Sequence, residues 1–391
     1  MARKLSLLIL LIAIFVFYAC ERENGSFTFI VTADMRYTAK EEYRDSRYFL
    51  GACEAIKKYG KGAFMISPGD IDPPSAVYEV VAQVLGEDYP WYPVAGNHEL
   101  DAEPSMRFLR DFNKNGNSLP NIVRIGPPGC IETTYSFDWT DHHFVVLNQY
   151  YDGISDIGTD GDHVPQLLEW LEKDLSETTK KYIFVFGHEP MIAIPDIDNG
   201  RLRHADDSLN KYPQSSLKFH QLLKKYQVTA YICGHTHNTS IAKINDVWQI
   251  DAGHARGIEA YFPDLMFGEI MQKIEQGKTT GVTRQEAIAE YYKGNDYEVK
   301  KILDYSGLTG DISYKKIDDK TGLDLLYQFV KDYAADQNIR DKYKSNFWIN
   351  ANLARSTFLK VITGENNVKV EIYRDDARGG EYQLRYSFTL N

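Results

Sequence analysis

The chain has 391 residues, of which 43% are hydrophobic, and a formal net charge of −11. This length and composition predict one large folded domain with an elaboration. The acidic balance argues against a nucleic-acid polymer as the partner, because such binding depends on Lys and Arg against phosphates. Three cysteines follow Cys20, and an odd number does not make a disulfide framework, so we expect structural roles for Cys53, Cys130 and Cys233.

Residues 1–20 have the pattern of an export signal. Arg3 and Lys4 precede an apolar stretch, residues 5–18, that is shorter than the roughly 20 residues of a membrane span. Ala19 and Cys20, followed by polar residues, resemble a bacterial lipobox in which Cys20 becomes the lipidated first residue. We therefore expect an exported protein, either a lipoprotein of the bacterial cell envelope, facing the periplasm or located in the outer membrane, or a secreted protein. An ordinary cleaved signal or a short anchor is the alternative.

Five apolar runs each end at a short polar block. Such runs, at residues 27–32, 63–66, 92–95, 182–186 and 230–233, indicate strands buried on both faces. In chain order, the blocks are Asp34-Met35-Arg36, Gly69-Asp70, Gly96-Asn97-His98-Glu99, Gly187-His188 and Gly234-His235-Thr236-His237. Ligand crevices lie beyond the carboxyl ends of such strands, so we expect these side chains to converge on one rim. Carboxylate, amide oxygen and imidazole groups suit Mn, Fe or Zn.

The remaining pattern is that of an α/β protein. Helices are predicted at residues 47–59, 164–175 and 216–226, and further strands at 143–148, 247–250, 356–363, 368–373 and 382–390. Residues 258–351 interrupt this scheme with a capping box at 283–286 and an amphipathic segment at 326–333. We interpret them as a helical insertion, which either roofs the crevice or forms a peripheral lobe.

The five blocks resemble the calcineurin-like metallophosphoesterase family, whose pattern is D-x-H, G-D, G-N-H-D/E, G-H and G-H-x-H. The resemblance spans about residues 26–257, which would form the core, with residues 352–391 completing it as C-terminal strands. It implies a sandwich of two mixed β-sheets flanked by helices, holding two metal ions about 3.5–4 Å apart. It also implies a ligand set in which Asp70 bridges the metals. Asn97, His188 and His235 would complete one site, and Asp34 and His237 would belong to the other.

The chain departs from this pattern at Arg36, where the family has a second ligand histidine. A guanidinium carries no lone pair for a metal, so we expect the Asp34/His237 site to be the weaker one. The related purple acid phosphatases also lack this histidine and use a tyrosine three residues after the bridging aspartate. That position is Pro73 here. Arg36 either binds a phosphate oxygen of the substrate or forms an ion pair with Asp34 or Asp72.

The resemblance implies that His98 lies over the phosphate, protonating or stabilising the leaving oxygen, and that Glu99 orients it. Asp101 is a candidate to support the site from outside the ligand set. Structural roles are expected for His142 and His143, which open a strand, and for His220, on a helix. His254 follows a strand and either reaches the crevice or is structural.

Three functional hypotheses remain. The first is a metal-dependent enzyme that hydrolyses small phosphodiesters or phosphomonoesters with a metal-activated water. The second is a non-catalytic envelope binding protein of the same fold, with one metal site lost at Arg36. The third is an enzyme acting on a polymer such as nucleic acid or teichoic-type material, and the acidic charge counts against nucleic acid. Only one of seven expected positions is altered, which favours the enzyme; the sequence indicates no protein partner, and a membrane contact only through a lipid on Cys20.

Overall fold

The computed structural model describes residues 27–36, 44–194, 196–197, 204, 207–257, 315–317, 356–375 and 381–390. The export signal with Cys20 lies outside these residues. So do both helices predicted in the insertion. Within residues 258–351 the structure describes only β11 (Lys315–Ile317), which is a strand. Among the described residues, none of the helices combines the length and apolar character that a membrane span requires.

Two mixed β-sheets form the centre of the molecule, in agreement with the predicted fold class. The six-stranded sheet has the order β14-β13-β12-β1-β2-β3. Its strands are β1 (Phe27–Val31), β2 (Met65–Pro68), β3 (Trp91–Val94), β12 (Thr357–Thr363), β13 (Val368–Arg374) and β14 (Gln383–Leu390). Strands β1, β2 and β3 run parallel, and β12 pairs antiparallel with β1. The C-terminal strands therefore complete the sheet that begins at the start of the described chain.

The eight-stranded sheet has the order β11-β9-β10-β8-β7-β6-β5-β4. The strands not yet defined are β4 (Ile122–Ile125), β5 (Tyr135–Trp139), β6 (His142–Val146), β7 (Tyr182–Phe186), β8 (Ala230–Cys233), β9 (Thr239–Ile244) and β10 (Val247–Ala252). Strands β6, β7 and β8 run parallel, so their carboxyl ends lie at one edge. The sequence did not predict β4, β5 or β9.

Helices cover the outer faces of both sheets. They are α1 (Phe49–Tyr59), α2 (Pro74–Leu85), α3 (Asn97–Leu100), α4 (Glu103–Phe112), α5 (Pro165–Glu177) and α6 (Pro213–Lys225), with short 3₁₀ turns at Lys114–Gly116 and Leu209–Lys211. Helices α1, α5 and α6 confirm predictions to within a few residues, whereas α2 and α4 were not predicted.

Side chains of α1 and α2 pack on the six-stranded sheet, and those of α5 and α6 on the eight-stranded sheet. A third apolar cluster, rich in Phe, fills the space between the sheets. The strands are thus buried on both faces, as their unbroken apolar runs predict.

His142 and His143 are both buried and structural, but in different ways. The ring of His142 stacks on Tyr182, with ring centroids 5.1 Å apart, and burial lowers its pKa. His143 lies between two carboxylates, with Nδ1 2.8 Å from Oδ1 of Asp138 and Nε2 2.8 Å from Oδ2 of Asp174. Burial opposes protonation of His143, yet the two aspartates outweigh it and raise its pKa. Each ring nitrogen thus faces a carboxylate oxygen, an arrangement that favours the protonated ring, in which both nitrogens donate.

This arrangement predicts a pH-dependent contribution of His143 to stability. A pKa that is higher in the folded state than in the unfolded state stabilises the fold fully below the unfolded value, about 6.5, and less as pH rises through the folded pKa. The loss of unfolding free energy in His143→Gln should therefore be largest near pH 5.5 and shrink towards pH 9. Urea unfolding across this range measures it.

His142→Gln is the matched control, since burial lowers the pKa of His142. For that histidine, protonation below about pH 6.5 opposes folding, so the pH trend should have the opposite sign. An effect of His143→Gln that stays constant with pH, or grows as pH rises, would contradict the account.

Candidate metal centre

The polar blocks follow the carboxyl ends of parallel strands from both sheets, as predicted. Asp34 follows β1, Asp70 follows β2, and Asn97 opens α3 just after β3. On the facing sheet, His188 follows β7, while His235 and His237 lie between β8 and β9. The structure brings all six predicted ligands to one rim between the sheets.

Asn97, His188 and His235 form the first cluster. The Nδ1–H of His188 donates to the carbonyl oxygen of Pro68 at 2.9 Å, which leaves the lone pair on Nε2. That nitrogen lies 3.1 Å from Oδ1 of Asn97 and 3.3 Å from Oδ1 of Asp70. Nδ1 of His235 lies 3.2 Å from it.

The tautomer of His235 is fixed in the same way as that of His188. The Nε2–H of His235 donates to the carbonyl oxygen of Asp207 at 2.7 Å, so Nδ1 carries the lone pair. Burial lowers the pKa of both histidines, which keeps the rings neutral. Three lone-pair atoms, from Asn97, His188 and His235, and a carboxylate oxygen of Asp70 therefore converge.

Asp34, Asp70 and His237 form the second cluster, and all three are buried. One ligand atom from each lies within 4.8 Å of those of the other two. Nε2 of His237 is 3.4 Å from Oδ1 of Asp34, whose Oδ2 accepts the backbone N–H of His235 at 2.8 Å. Asp70 is thus common to both clusters.

Both clusters suit a metal ion, and this follows from their own chemistry. Buried oxygen and nitrogen lone pairs that face one another are repulsive unless a cation lies between them. Mixed imidazole, carboxylate and amide donors match Mn, Fe or Zn. The second cluster offers three protein ligands.

The backbone at the candidate ligands is strained. Asp34, Asp70, His235 and His237 have φ of 51°, 52°, 72° and 55°. Such values are uncommon outside glycine and cost of order 1–3 kcal/mol each, so they persist where the surroundings enforce them. Four of the six predicted ligands adopt this conformation, which fits a site built for function.

Two glycines are required by close approach to these side chains. A Cβ atom at Gly69, whose φ is +80°, would overlap the ring of His188, and one at Gly234 would overlap the carboxylate of Asp34. Each of these two glycines therefore makes room for a candidate ligand that comes from the other sheet.

His98 lies beside the clusters, with Nε2 3.7 Å from Oδ2 of Asp70 and its ring partly exposed. The prediction that Glu99 orients it is wrong. Glu99 is the third residue of α3, so its carboxylate returns to accept the N–H groups of Gly96 and Asp70, at 2.6 and 3.0 Å. Asp101, three residues after His98, holds Nδ1 of His98 at 2.9 Å instead.

Arg36 has a backbone that belongs to the site, since its N–H donates to the carbonyl oxygen of Asp70 at 3.0 Å. Its guanidinium forms an ion pair with Asp72, with Nε 3.7 Å from Oδ2. Both side chains are about one third exposed while Nε of Arg36 is itself buried, so the pair lies at the border between the site and solvent, which we call the opening. The ion-pair interpretation with Asp72 agrees with the structure.

His220 and His254 lie outside the set of candidate ligands. His220 on α6 is buried and its Nε2–H donates to the carbonyl oxygen of Ile244 at 3.0 Å. His254 is fully buried, with its ring centroid 5.7 Å from that of His237, and so lies behind the second cluster. The cysteines 53, 130 and 233 are buried and free.

The sequence interpretation missed a group of charges behind the first cluster. Glu189, which directly follows His188, is buried, and burial raises its pKa to about 8. Nζ of Lys211 lies 3.4 Å from it and 3.0 Å from Oδ1 of Asp207. Nδ1 of His204 also contacts Asp207, at 3.1 Å. The sequence offered one signal for this group: Glu189 is the only charged residue in the apolar stretch that follows His188.

Comparisons with known proteins agree with this geometry. The family model described as calcineurin-like phosphoesterase matches residues 27–239. A probable glycerophosphodiester phosphodiesterase of Arcobacter nitrofigilis is 28% identical over 170 residues, covering 41% of this chain and 50% of the relative. Tartrate-resistant acid phosphatase type 5 of Rattus norvegicus is 25% identical over 208 residues, covering 50% and 53%. The chain therefore spans about half the length of the curated relatives it matches.

Among solved structures, the yellow lupin purple acid phosphatase PPD1 aligns with 94% of this chain and 54% of its own, with a TM-score of 0.49 and 12% identity.

Proposed function

This chain belongs to the calcineurin-like phosphoesterase family, and we propose that it hydrolyses phosphoester bonds in small phosphodiesters or phosphomonoesters. The observation that carries the proposal is the convergence of lone pairs from Asn97, His188 and His235 on the carboxylate of Asp70. The names of the relatives, a phosphodiesterase and an acid phosphatase, support both substrate classes.

Six residues would hold two divalent or trivalent metal ions, Mn, Fe or Zn: Asp34, Asp70, Asn97, His188, His235 and His237. Bound metals at such a site activate a water molecule and stabilise charge on phosphoryl oxygens. The Asp34/His237 site would be the weaker one, because Arg36 contributes a positive charge near it and no lone pair.

The chain's own residues supply positioning and proton transfer. His98, fixed by Asp101, has a partly exposed ring with Nε2 3.7 Å from Oδ2 of Asp70, and it would protonate the leaving oxygen. Arg36, at the opening, would exchange its ion pair with Asp72 for a phosphate oxygen of the substrate, which a guanidinium can bind in bidentate fashion. Glu99 would contribute indirectly, by fixing the backbone of Asp70.

Hydrolysis of bis-p-nitrophenyl phosphate and p-nitrophenyl phosphate tests the proposal, using protein stripped of metal and then reloaded with Mn²⁺. Activity should return with the metal, and the ratio of the two rates ranks diesterase against monoesterase. His188→Ala should stay inactive. His220→Gln should behave as wild type, because His220 donates its hydrogen bond to the carbonyl oxygen of Ile244 and is not a candidate ligand. A folded protein inactive with Mn, Fe and Zn would favour the alternative, a non-catalytic binding protein.

His98 yields a prediction of its own. If it protonates the leaving oxygen, His98→Ala should lower the rate by about 10²–10⁴-fold for an alkyl leaving group and much less for p-nitrophenolate, which leaves without a proton. Rates for a matched pair of alkyl and nitrophenyl phosphodiesters measure this.

Asp101→Asn is the control for His98→Ala, because it keeps the imidazole of His98 and weakens the hydrogen bond that orients it. It should reduce the same rates by a smaller factor. Equal losses in His98→Ala for both leaving groups would contradict a role in proton transfer.

We also propose export of the protein with a lipid on Cys20, as the sequence of residues 1–20 predicts. Labelling of wild type and Cys20→Ser with a radioactive fatty acid in a bacterial host tests it. Label in the wild type alone would support it, and no label in either would contradict it.

A further inference from the structure

Lys211 lies at a junction of charged side chains behind the first cluster, and its side chain is only 15% exposed. Its ammonium contacts Oδ1 of Asp207 at 3.0 Å, both carboxylate oxygens of Glu189 at 3.4 Å, and Asp160 at 3.3 Å. Glu189 and Asp207 lie near the two ends of the loop between β7 and α6, and Asp160 lies in the loop between β6 and α5. A largely buried cation with this many partners holds these segments relative to one another.

Two of these acids belong to segments that contact the histidines of the first cluster. Glu189 is the neighbour of His188 in the chain. Asp207 supplies the carbonyl oxygen that accepts the Nε2–H of His235. Lys211 therefore holds the backbone beside one imidazole and the hydrogen-bond acceptor of the other.

The carbonyl of Asp207 decides which nitrogen of His235 can bind a metal. With Nε2–H bonded at 2.7 Å, the lone pair is on Nδ1, which faces His188 at 3.2 Å. Loss of that acceptor would release the ring to the other tautomer or to rotation. Partners of this kind typically change metal affinity about 10–100-fold when they are removed.

We propose that Lys211 is a positioning residue for the metal site of Asn97, His188 and His235, acting through Glu189 and Asp207. The inference rests on the proposed metal binding. The site of Asn97, His188 and His235 should depend on Lys211 more than the site of Asp34 and His237 does. Within the described part of the chain, the contacts of Lys211 do not include Asp34 or His237.

Calorimetric titration of the metal-free protein with Mn²⁺ tests the inference without any reaction. Wild type should show two binding events. Lys211→Met should weaken one of them by about 10–100-fold and change the other by less than about threefold. Lys211→Arg, which keeps the charge, should restore most of the loss.

Lys224→Met is the matched control, since Lys224 lies at the other end of α6 and forms a 3.0 Å ion pair with Asp246. It should bind as wild type. If Lys211→Met does not fold, Asp207→Asn replaces it, because it keeps the backbone carbonyl and loses the charge that Lys211 contacts.

The outcomes separate this inference from the proposed function. Two normal binding events in a folded Lys211→Met or Asp207→Asn protein would overturn the positioning role and leave the proposed function standing. Equal weakening of both sites would show a general structural role and would also overturn it. A wild type that binds no metal would overturn both.

Discussion

Asp70→Asn should abolish phosphoester hydrolysis, because Asp70 is the one candidate ligand shared by both clusters. Its Oδ1 is 3.3 Å from Nε2 of His188, and one of its carboxylate oxygens lies within 4.8 Å of ligand atoms of Asp34 and His237. Metal ions contribute several kcal/mol of transition-state stabilisation, and each 1.36 kcal/mol is about a tenfold change in rate. A fall of about 10³-fold or more in kcat/KM is therefore expected, together with weaker binding at both sites.

Asp72→Asn is the control for Asp70→Asn. Asp72 is two residues away and forms the ion pair with Arg36 at the opening. We expect it to change KM more than kcat and to leave the metal content unchanged. Retention of more than a tenth of the activity by Asp70→Asn at full metal occupancy would contradict the assignment of Asp70 as the shared ligand.

Arg374→Met should destabilise the fold strongly. Arg374 on β13 is fully buried, and its guanidinium binds both carboxylate oxygens of Asp196, at 3.1 and 3.0 Å. Asp196 also accepts the backbone N–H of Thr239, two residues after the candidate ligand His237. Removal of one partner of a buried pair leaves an uncompensated charge and costs about 3–5 kcal/mol of unfolding free energy.

Two further variants separate the buried charge from the lost packing. Arg374→Met combined with Asp196→Asn removes both charges and should recover a large part of the loss. Arg107→Met breaks an exposed ion pair with Glu103 and should cost less than about 1 kcal/mol. Urea unfolding measures all three, and a cost for Arg374→Met no larger than that of Arg107→Met would contradict the stabilising role of the buried pair.

The sheets and the convergence of the candidate ligands were predictable because both depend on local patterns. An unbroken apolar run that ends in Gly indicates a buried parallel strand, and the polar residues that follow must lie at its carboxyl end. Six candidate ligands were found in this way. Helix α2 was missed because its apolar face is rich in Val, which suits strands as well as helices.

The supporting contacts were not predictable, because they join residues distant in sequence. Arg374 and Asp196 are 178 positions apart, and only the packing of the two sheets makes them neighbours. Lys211 meets Asp160 and Glu189 only because the loops that follow β6 and β7 fold against each other. The error at Glu99 has a local cause, since the first turn of α3 directs that carboxylate back to backbone N–H groups and leaves Asp101 to hold His98.

Anomalous diffraction from crystals soaked in Mn²⁺ tests the central claim, that these blocks form a metal centre, most directly. The account predicts two peaks that share Asp70, one contacted by Asn97, His188 and His235, and a second, of lower occupancy, contacted by Asp34 and His237. The absence of any peak at these residues, at Mn²⁺ concentrations that support hydrolysis, would contradict it.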